Sequence, residues 1–407
     1  MSYNASLQAK NAKLQALIDK ANSLPEQNEG VVLYAKPKDI NFYDWDGTCL
    51  YSYTLAEFAR LTELPPAPTP PKDFLVFHSW TWTLEDIKSY GQILDVGAIY
   101  NTTDNKNHLI VEIDESMLDA TIGLTSTTAS FDVDWGDGTI ETGASSGVTH
   151  TYAAPGVYDI RHSATLGDGS AFAINVGKVN LIEMHTKSDA TISTNAFGLC
   201  ARLVRATFGA GTRLYRNALE NCFSLTTFIG EPHLTYSYGL LKACSALRVV
   251  CVTKGTTIRG EMFRGCSSLK RITGTTGTAE ENYNFLYCYS LEELELDTNK
   301  IGLMATYACY ALRSVTFTDK LTTLEAQCFQ NTSILKVTLP SGVTTIKAQA
   351  FATNSLKEVH ILAETPPTLD NSNAFPNSCT IYVPAASLEA YKTATNWSAH
   401  ESRIVGE

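Results

Sequence analysis

Apolar and polar positions alternate in short bursts along much of this chain, and from residue 197 to about residue 361 the bursts recur every 22 residues. A leucine-type residue opens each one, at Leu203, Leu225, Leu247, Leu269, Leu291, Leu312, Ile334 and Leu356, in steps of 22, 22, 22, 22, 21, 22 and 22. The runs that follow, such as LVRATF, LRVVCV, LEELEL, ILKVTL and LKEVHI, alternate with the period of a strand that has one buried face. A fixed period of this length predicts a solenoid, whose coils bury their apolar sides only by stacking on one another. In register, the runs become a parallel ribbon with Ala206, Phe208, Phe228, Val250, Val252, Leu294, Leu296, Val337, Leu339, Val359 and Ile361 among the inward positions.

Two further columns keep the same step. Phe197, Leu219, Leu241, Phe263, Phe285, Tyr307, Phe329 and Phe351 stand five or six residues before the leucines. Cys200, Cys222, Cys244, Cys266, Cys288 and Cys309 stand three before the first six. Cysteines one repeat apart predict a ladder of small, buried, reduced thiols rather than a disulfide framework, and no CxxC pair is present to seed a zinc site. That usage fits folding in a reducing cytoplasm.

Outside the repeats the periods change. Leu7, Leu14, Leu17 and Leu24 lie on the heptad positions of a helix over residues 5–25, which predicts an oligomerisation or attachment helix in 1–30. Residues 31–116 read as a small α+β module. "DINFYDWDGTCLYSYT" is a hairpin with its turn at Asp46-Gly47, Thr54 with Glu57 forms a capping box, and Thr83 with Asp86 caps a second helix. "NHLIVEI" returns as a strand of that module. The array occupies 181–378. The fold class is thus multidomain and β-rich.

Net charge is −11, from 42 acidic against 31 basic side chains, with no basic cluster, so nucleic acid and anionic membrane are poor partners. No run of 18 apolar residues is present to span a bilayer. The start lacks the apolar core of a signal peptide, so export is not expected. No GxSxG, HExxH or P-loop occurs, and neither a catalytic residue, a metal site nor a cofactor is expected.

Resemblances sharpen this. The repeats, most clearly "AQAFATNSLKEVHI", resemble the BspA-type leucine-rich repeat. "CTIYVPAASLEAYKTATNWSAHESRIVG" resembles the segment that closes many such arrays, which implies a C-terminal cap with a short amphipathic helix over 379–407. "FDVDWGDGT" and "HTYAAPGVYDIRHSAT" resemble a PKD-type immunoglobulin-like domain, which implies a β-sandwich spacer over 117–180 with Trp135 in its core. A calcium site on Asp132, Asp134 and Asp137 is conceivable there but lacks a full oxygen set. "FYDWDGT" is similar to the DxDGT of haloacid-dehalogenase-like phosphohydrolases, implying Asp44 as nucleophile and Asp46 as acid/base; the other parts of that machinery are absent and a hairpin turn explains the residues. The stretch from "INFYDWDGT" to "NHLIVEI" resembles the N-terminal module of prophage-encoded leucine-rich repeat proteins of gut Firmicutes.

Function is then expected on the outer face of the ribbon, about 35 Å long for eight strands. Arg205, Arg271, Glu293, Glu295, Lys336, Glu358 and His360 are its candidate ligand-binding residues. The order of attachment helix, platform, spacer and array favours a bacteriophage virion protein, a tail or head fibre. It would be assembled in the host cytoplasm, homo-oligomeric with a trimer favoured, joined to other virion proteins, and would bind a host cell-surface glycan or protein. A BspA-type bacterial surface adhesin is the alternative, and a phosphohydrolase fused to a binding array comes third.

Overall fold

The computed structural model describes residues 38–115, 121–126, 130–163, 172–230, 237–274, 281–353 and 355–407. The oligomerisation residues Leu7, Leu14, Leu17 and Leu24 lie outside them. The described residues open on the expected hairpin, β1 (Ile40–Tyr43) antiparallel to β2 (Cys49–Tyr53). The Gly47 N–H donates to the Asp44 carbonyl at 2.9 Å and Gly47 sits at φ +85°, a left-handed turn suited to glycine. Helix α1 (Leu55–Ala59) begins with the capping box of Thr54 and Glu57. Strand β3 (Leu75–Trp80), helix α2 (Leu84–Tyr90, capped by Thr83 and ended by Gly91) and strand β4 (Leu94–Thr102) complete a sheet ordered β2-β1-β4-β3. Ile40, Phe42, Phe58, Trp80, Val96 and Tyr100 form its own core.

The next strand leaves the module. β5 (Asn107–Ile113), expected to return to it, instead pairs with β10 (Gly156–His162) and with the first solenoid strand. Between them run β6 (Thr121–Ser126), β7 (Phe131–Asp134), β8 (Ile140–Ala144) and β9 (Val148–Thr151), and β11 (Phe172–Val176) follows β10. The solenoid begins with β12 (Leu181–His185), β13 (Thr191–Ile192), β14 (Arg205–Thr207) and β15 (Arg213–Leu214). One sheet is ordered β14-β12-β5-β10-β7-β8, the other β15-β13-β11-β6-β9. Both ribbons of the solenoid therefore run unbroken into the two sheets of the sandwich. One apolar core continues from Leu109 through Trp135 to Ile404. The limits expected after residues 116 and 180 are crossed by hydrogen-bonded sheets. The sandwich is the end-cover of the solenoid, where its first coil would otherwise expose an edge and an apolar face.

Further strands follow at one repeat or a multiple of it: β16 (Thr227–Gly230), β17 (Val249–Val252), β18 (Glu293–Leu296), β19 (Lys300–Ile301), β20 (Ser314–Phe317) and β21 (Thr323–Leu324), with residues 271–274 forming no strand between β17 and β18. Then come β22 (Lys336–Leu339), β23 (Thr345–Ile346), β24 (Glu358–Ile361) and β25 (Thr368–Leu369). Neighbours pair in parallel one repeat apart, as Leu294 with Val315 and Val337 with Val359. The inward set of the first ribbon is buried, Phe317 alone being half-buried.

The ladders stand as the spacing predicts. All ten cysteines are free and buried. Five of the six repeat thiols donate to a carbonyl one coil back, Cys222 to Phe197, Cys244 to Leu219, Cys266 to Leu241, Cys288 to Phe263 and Cys309 to Phe285, at 3.0–3.3 Å. Burial pushes these thiols well above their usual range, which keeps them protonated donors. Phe263 stacks on Phe285 and Phe329 on Phe351, with centroids 5.6 and 5.1 Å apart. At the far end β26 (Thr380–Val383), helix α3 (Leu388–Thr393) and β27 (Ile404–Gly406) close the last coil, with Tyr391 and Trp397 fully buried.

Candidate binding face of the strand ribbon

Two columns of side chains point outward from the first ribbon. One runs through Glu183, Arg205, Thr227, Val249, Arg271, Glu293, Ser314, Lys336 and Glu358; the other through His185, Thr207, Ile229, Cys251, Thr273, Glu295, Thr316, Thr338 and His360. The expectation of a wholly free face needs correction, because the N-terminal module sits on its first half. β4 lies over β16 and β17. A β-carbon added to Gly97 would come within 2.5 Å of Ile229 Cγ2 and 2.8 Å of Cys251 Cβ, so only a glycine allows this approach. The Trp82 indole N–H donates to the Val252 carbonyl at 2.8 Å, the Asp95 N–H donates to Thr273 Oγ1 at 2.8 Å, and Lys254 pairs with Asp86 at 2.6 Å.

One expected ligand-binding residue, Arg271, is consumed by this contact, and a second, Arg205, is engaged at its edge while its side chain stays 44% exposed. Arg271 grips both oxygens of Asp95, Nε to Oδ2 at 2.8 Å, with the Asp95 side chain only 8% exposed. A buried fork of this kind is committed to its carboxylate. Arg205 lies over the Trp45 ring, 5.3 Å from its centroid, and bonds Glu183 at 3.1 Å. Glu183 also takes Lys72 at 2.8 Å, and His185, its ring nitrogen 3.6 Å from the carboxylate, lowers it to about 2 together with these cations. Glu295 is half covered, accepting from the Tyr90 hydroxyl at 3.4 Å, and burial raises its carboxyl.

The remaining candidates lie on the open half. Glu293 is exposed at the module's lip. Lys336 and Glu358 pair at 3.2 Å, both well exposed. His360 stacks on Tyr382 and bonds Glu407 at 2.9 Å. At the border between halves, Leu55, Gln92 and Ile93 of the module face Thr273, Glu293, Glu295, Ser314 and Thr316 across a cleft of 360 Å³.

Module residues Asp95, Gly97 and Trp82 were not among the candidates. The signal for their role lay in the ribbon: Ile229, Val249 and Cys251 stand at outward positions where water would leave an apolar surface uncovered.

The motifs set aside on the sequence are occupied by structure. Asp44 accepts from the Tyr100 hydroxyl at 2.6 Å and from the Trp45 N–H at 2.8 Å, and Asp46 from the Thr48 N–H at 2.9 Å. The hairpin turn they build is pressed against Thr227, 2.5 Å from where a Gly47 β-carbon would stand. Asp132, Asp134 and Asp137 hold the N–H groups of Gly143, Gly136 and Thr139, and Asp137 also bonds His150 at 2.8 Å. Among the described residues, no group of three or more His, Cys, Asp or Glu side chains is gathered to hold a metal ion.

The sequence matches the BspA type leucine rich repeat region over residues 170–292 and 278–385. The chain belongs to this family. The match starts within the sandwich, just before β11, which agrees with the ribbon's continuity into that sheet. No curated protein matches the chain. Among solved structures, a leucine-rich repeat protein from Bacteroides ovatus is 14% identical over 72% of this chain and 100% of its own, with a TM-score of 0.24. A leucine rich cell surface protein from Faecalibacterium prausnitzii is 16% identical over 60% of this chain and 89% of its own, with a TM-score of 0.22. The pneumococcal vaccine antigen PcpA is 14% identical over 60% and 85%, with a TM-score of 0.26.

Proposed function

We propose that this chain is a non-catalytic adhesin that grips a macromolecule on a cell surface with the C-terminal half of its first ribbon, strands β18, β20, β22, β24, β26 and β27. One observation carries the reading: the module seals the first strands and stops, leaving Glu293, Ser314, Thr316, Lys336 and Thr338 exposed on a contiguous wall. Membership of the BspA-type repeat family supports the adhesin over the virion fibre. The fibre reading drew on a string of separate parts, whereas the sandwich here shares its sheets with the solenoid and the platform lies on the ribbon. The wall suits a protein loop or a glycan chain, since its outward columns are polar and open along several strands. Beads coated with the full chain, applied to a panel of cultured epithelial and bacterial cells, test this. Lys336→Glu combined with Thr338→Trp is expected to reduce attachment to that of uncoated beads. Attachment undiminished in that variant, or absent in the wild type, overturns the proposal.

A further inference from the structure

The cleft at the border of the covered and open halves has a chemistry of its own. Its module side carries Leu55 and Ile93, large apolar side chains left 39% and 38% exposed, with Gly91 and Gln92. Its ribbon side carries Glu293 and Glu295, each beside its partner on the next strand, Ser314 and Thr316. Arg271 also lines the cleft and lies within electrostatic reach of Glu293, but its hydrogen bonds go to both oxygens of Asp95; Lys320 pairs with Asp297 at 2.8 Å, Lys270 with Glu292 at 3.4 Å and Lys254 with Asp86. Among the described residues no cation forms an ion pair with Glu293 or Glu295. Glu295 is half-buried, and burial raises its carboxyl, the response of an acid without a counter-charge.

We propose that this cleft is a subsite for an arginine or lysine side chain presented by a protein partner, a reading that rests on the adhesive role of the open ribbon. Such side chains join an aliphatic stem to a charged head. The stem would lie along Leu55 and Ile93, the head would reach Glu293 and Glu295, and the hydroxyls of Ser314 and Thr316 stand where the adjoining backbone would pass. A cleft of 360 Å³ admits one long side chain with its flanking peptide. Charge complementarity selects a basic loop over a neutral glycan, because desolvating two carboxylates without a cation is unfavourable.

Fluorescence anisotropy of the full chain with a tagged peptide of alternating arginine and threonine tests this, beside the same peptide with glutamate for arginine. The wild type is expected to bind the arginine peptide alone. Glu293→Gln with Glu295→Gln is expected to weaken binding about tenfold, as for a partly desolvated charge pair. Ile93→Ser is expected to weaken it less, and Glu389→Gln on the remote cap helix not at all. Equal affinity in the double glutamine variant, or equal binding of the glutamate peptide, overturns the subsite. The two readings fail separately. If Lys336→Glu with Thr338→Trp abolishes bead attachment while the glutamine variant binds peptide normally, the ribbon reading stands and the subsite falls. If attachment is undiminished in the former while peptide binding is lost in the latter, the subsite stands and the ribbon reading falls.

Discussion

The two halves of one ribbon are built on the same repeat yet finished differently. In the covered half the second outward column holds Ile229 and Cys251, and an arginine in the first column is locked to Asp95 beneath the module. In the open half the same columns hold Thr316, Thr338 and a Lys336–Glu358 pair in water. The inward residues hardly differ, since both halves bury the same Leu, Val and Phe columns. What the repeat dictates is the wall, and what the outward residues dictate is whether the wall is core or surface. The comparison breaks most sharply at the buried pair. Asp95→Ala leaves Arg271 charged and enclosed, and is expected to cost about 3–5 kcal/mol in urea unfolding. A loss below about 1 kcal/mol would mean that the module is only loosely seated.

Steric closeness gives the next effect. Gly97→Val drives a side chain into Ile229 and Cys251, and is expected to cost about 3 kcal/mol, with part recovered when Ile229→Ala is added. Thr338→Val, the counterpart on the exposed side, is expected to stay within about 0.5 kcal/mol of the wild type. If Gly97→Val were equally silent, the module would not rest on the ribbon.

Much of the fold was legible because repetition amplifies local signals. Cys222 alone says little, but six cysteines at one spacing specify a stacked ladder, and the ladder is there with its thiols bonded one coil back. The capping box at Thr54, the Thr83 cap and the Asp46-Gly47 turn were legible because each depends on neighbours in sequence. The site was half legible. Lys336 and Glu358 face water as their alternation implies, whereas Arg205 and Arg271 alternate identically and are occupied by Trp45 and Asp95, partners more than 150 residues away in the chain. Alternation reports which side of a strand a residue takes, not what lies over that side. β5 shows the same limit: its apolar run marks a strand, but pairing with β10 and β12 is decided by the sandwich and the solenoid.

Acid probes the covered end, by a smaller amount. His185 is buried under the module, and burial lowers it below its ordinary 6.5 despite Glu183. His162, buried in the sandwich, is pushed down to about 3. Both stay neutral in the folded chain while the unfolded chain binds protons below about 6.5, so stability falls as pH drops through that value. Each contributes at most about 1.4 kcal/mol per pH unit, until its folded-state value is reached. His162→Phe and His185→Gln are each expected to flatten the decline in urea midpoint between about pH 7 and pH 5. An unchanged slope in both would place the acid-sensitive group elsewhere.

The smallest effect sharpens the comparison most, because it isolates the solvent. Lys336 and Glu358 occupy the first column as Arg271 does, and meet at 3.2 Å across adjacent strands. Their side chains are 58% and 41% exposed, so water already solvates both charges and salt screens them. Glu358→Ala is expected to cost less than about 1 kcal/mol, and a double-mutant cycle with Lys336→Ala to give a coupling of about 0.5 kcal/mol that shrinks at high salt. The equivalent cycle on Asp95 and Arg271 should resist salt, since the module excludes the ions that would screen it. A coupling at Lys336–Glu358 as large and as salt-resistant as that at Asp95–Arg271 would mean that something covers the open half too, and the wall would then be an interface already filled.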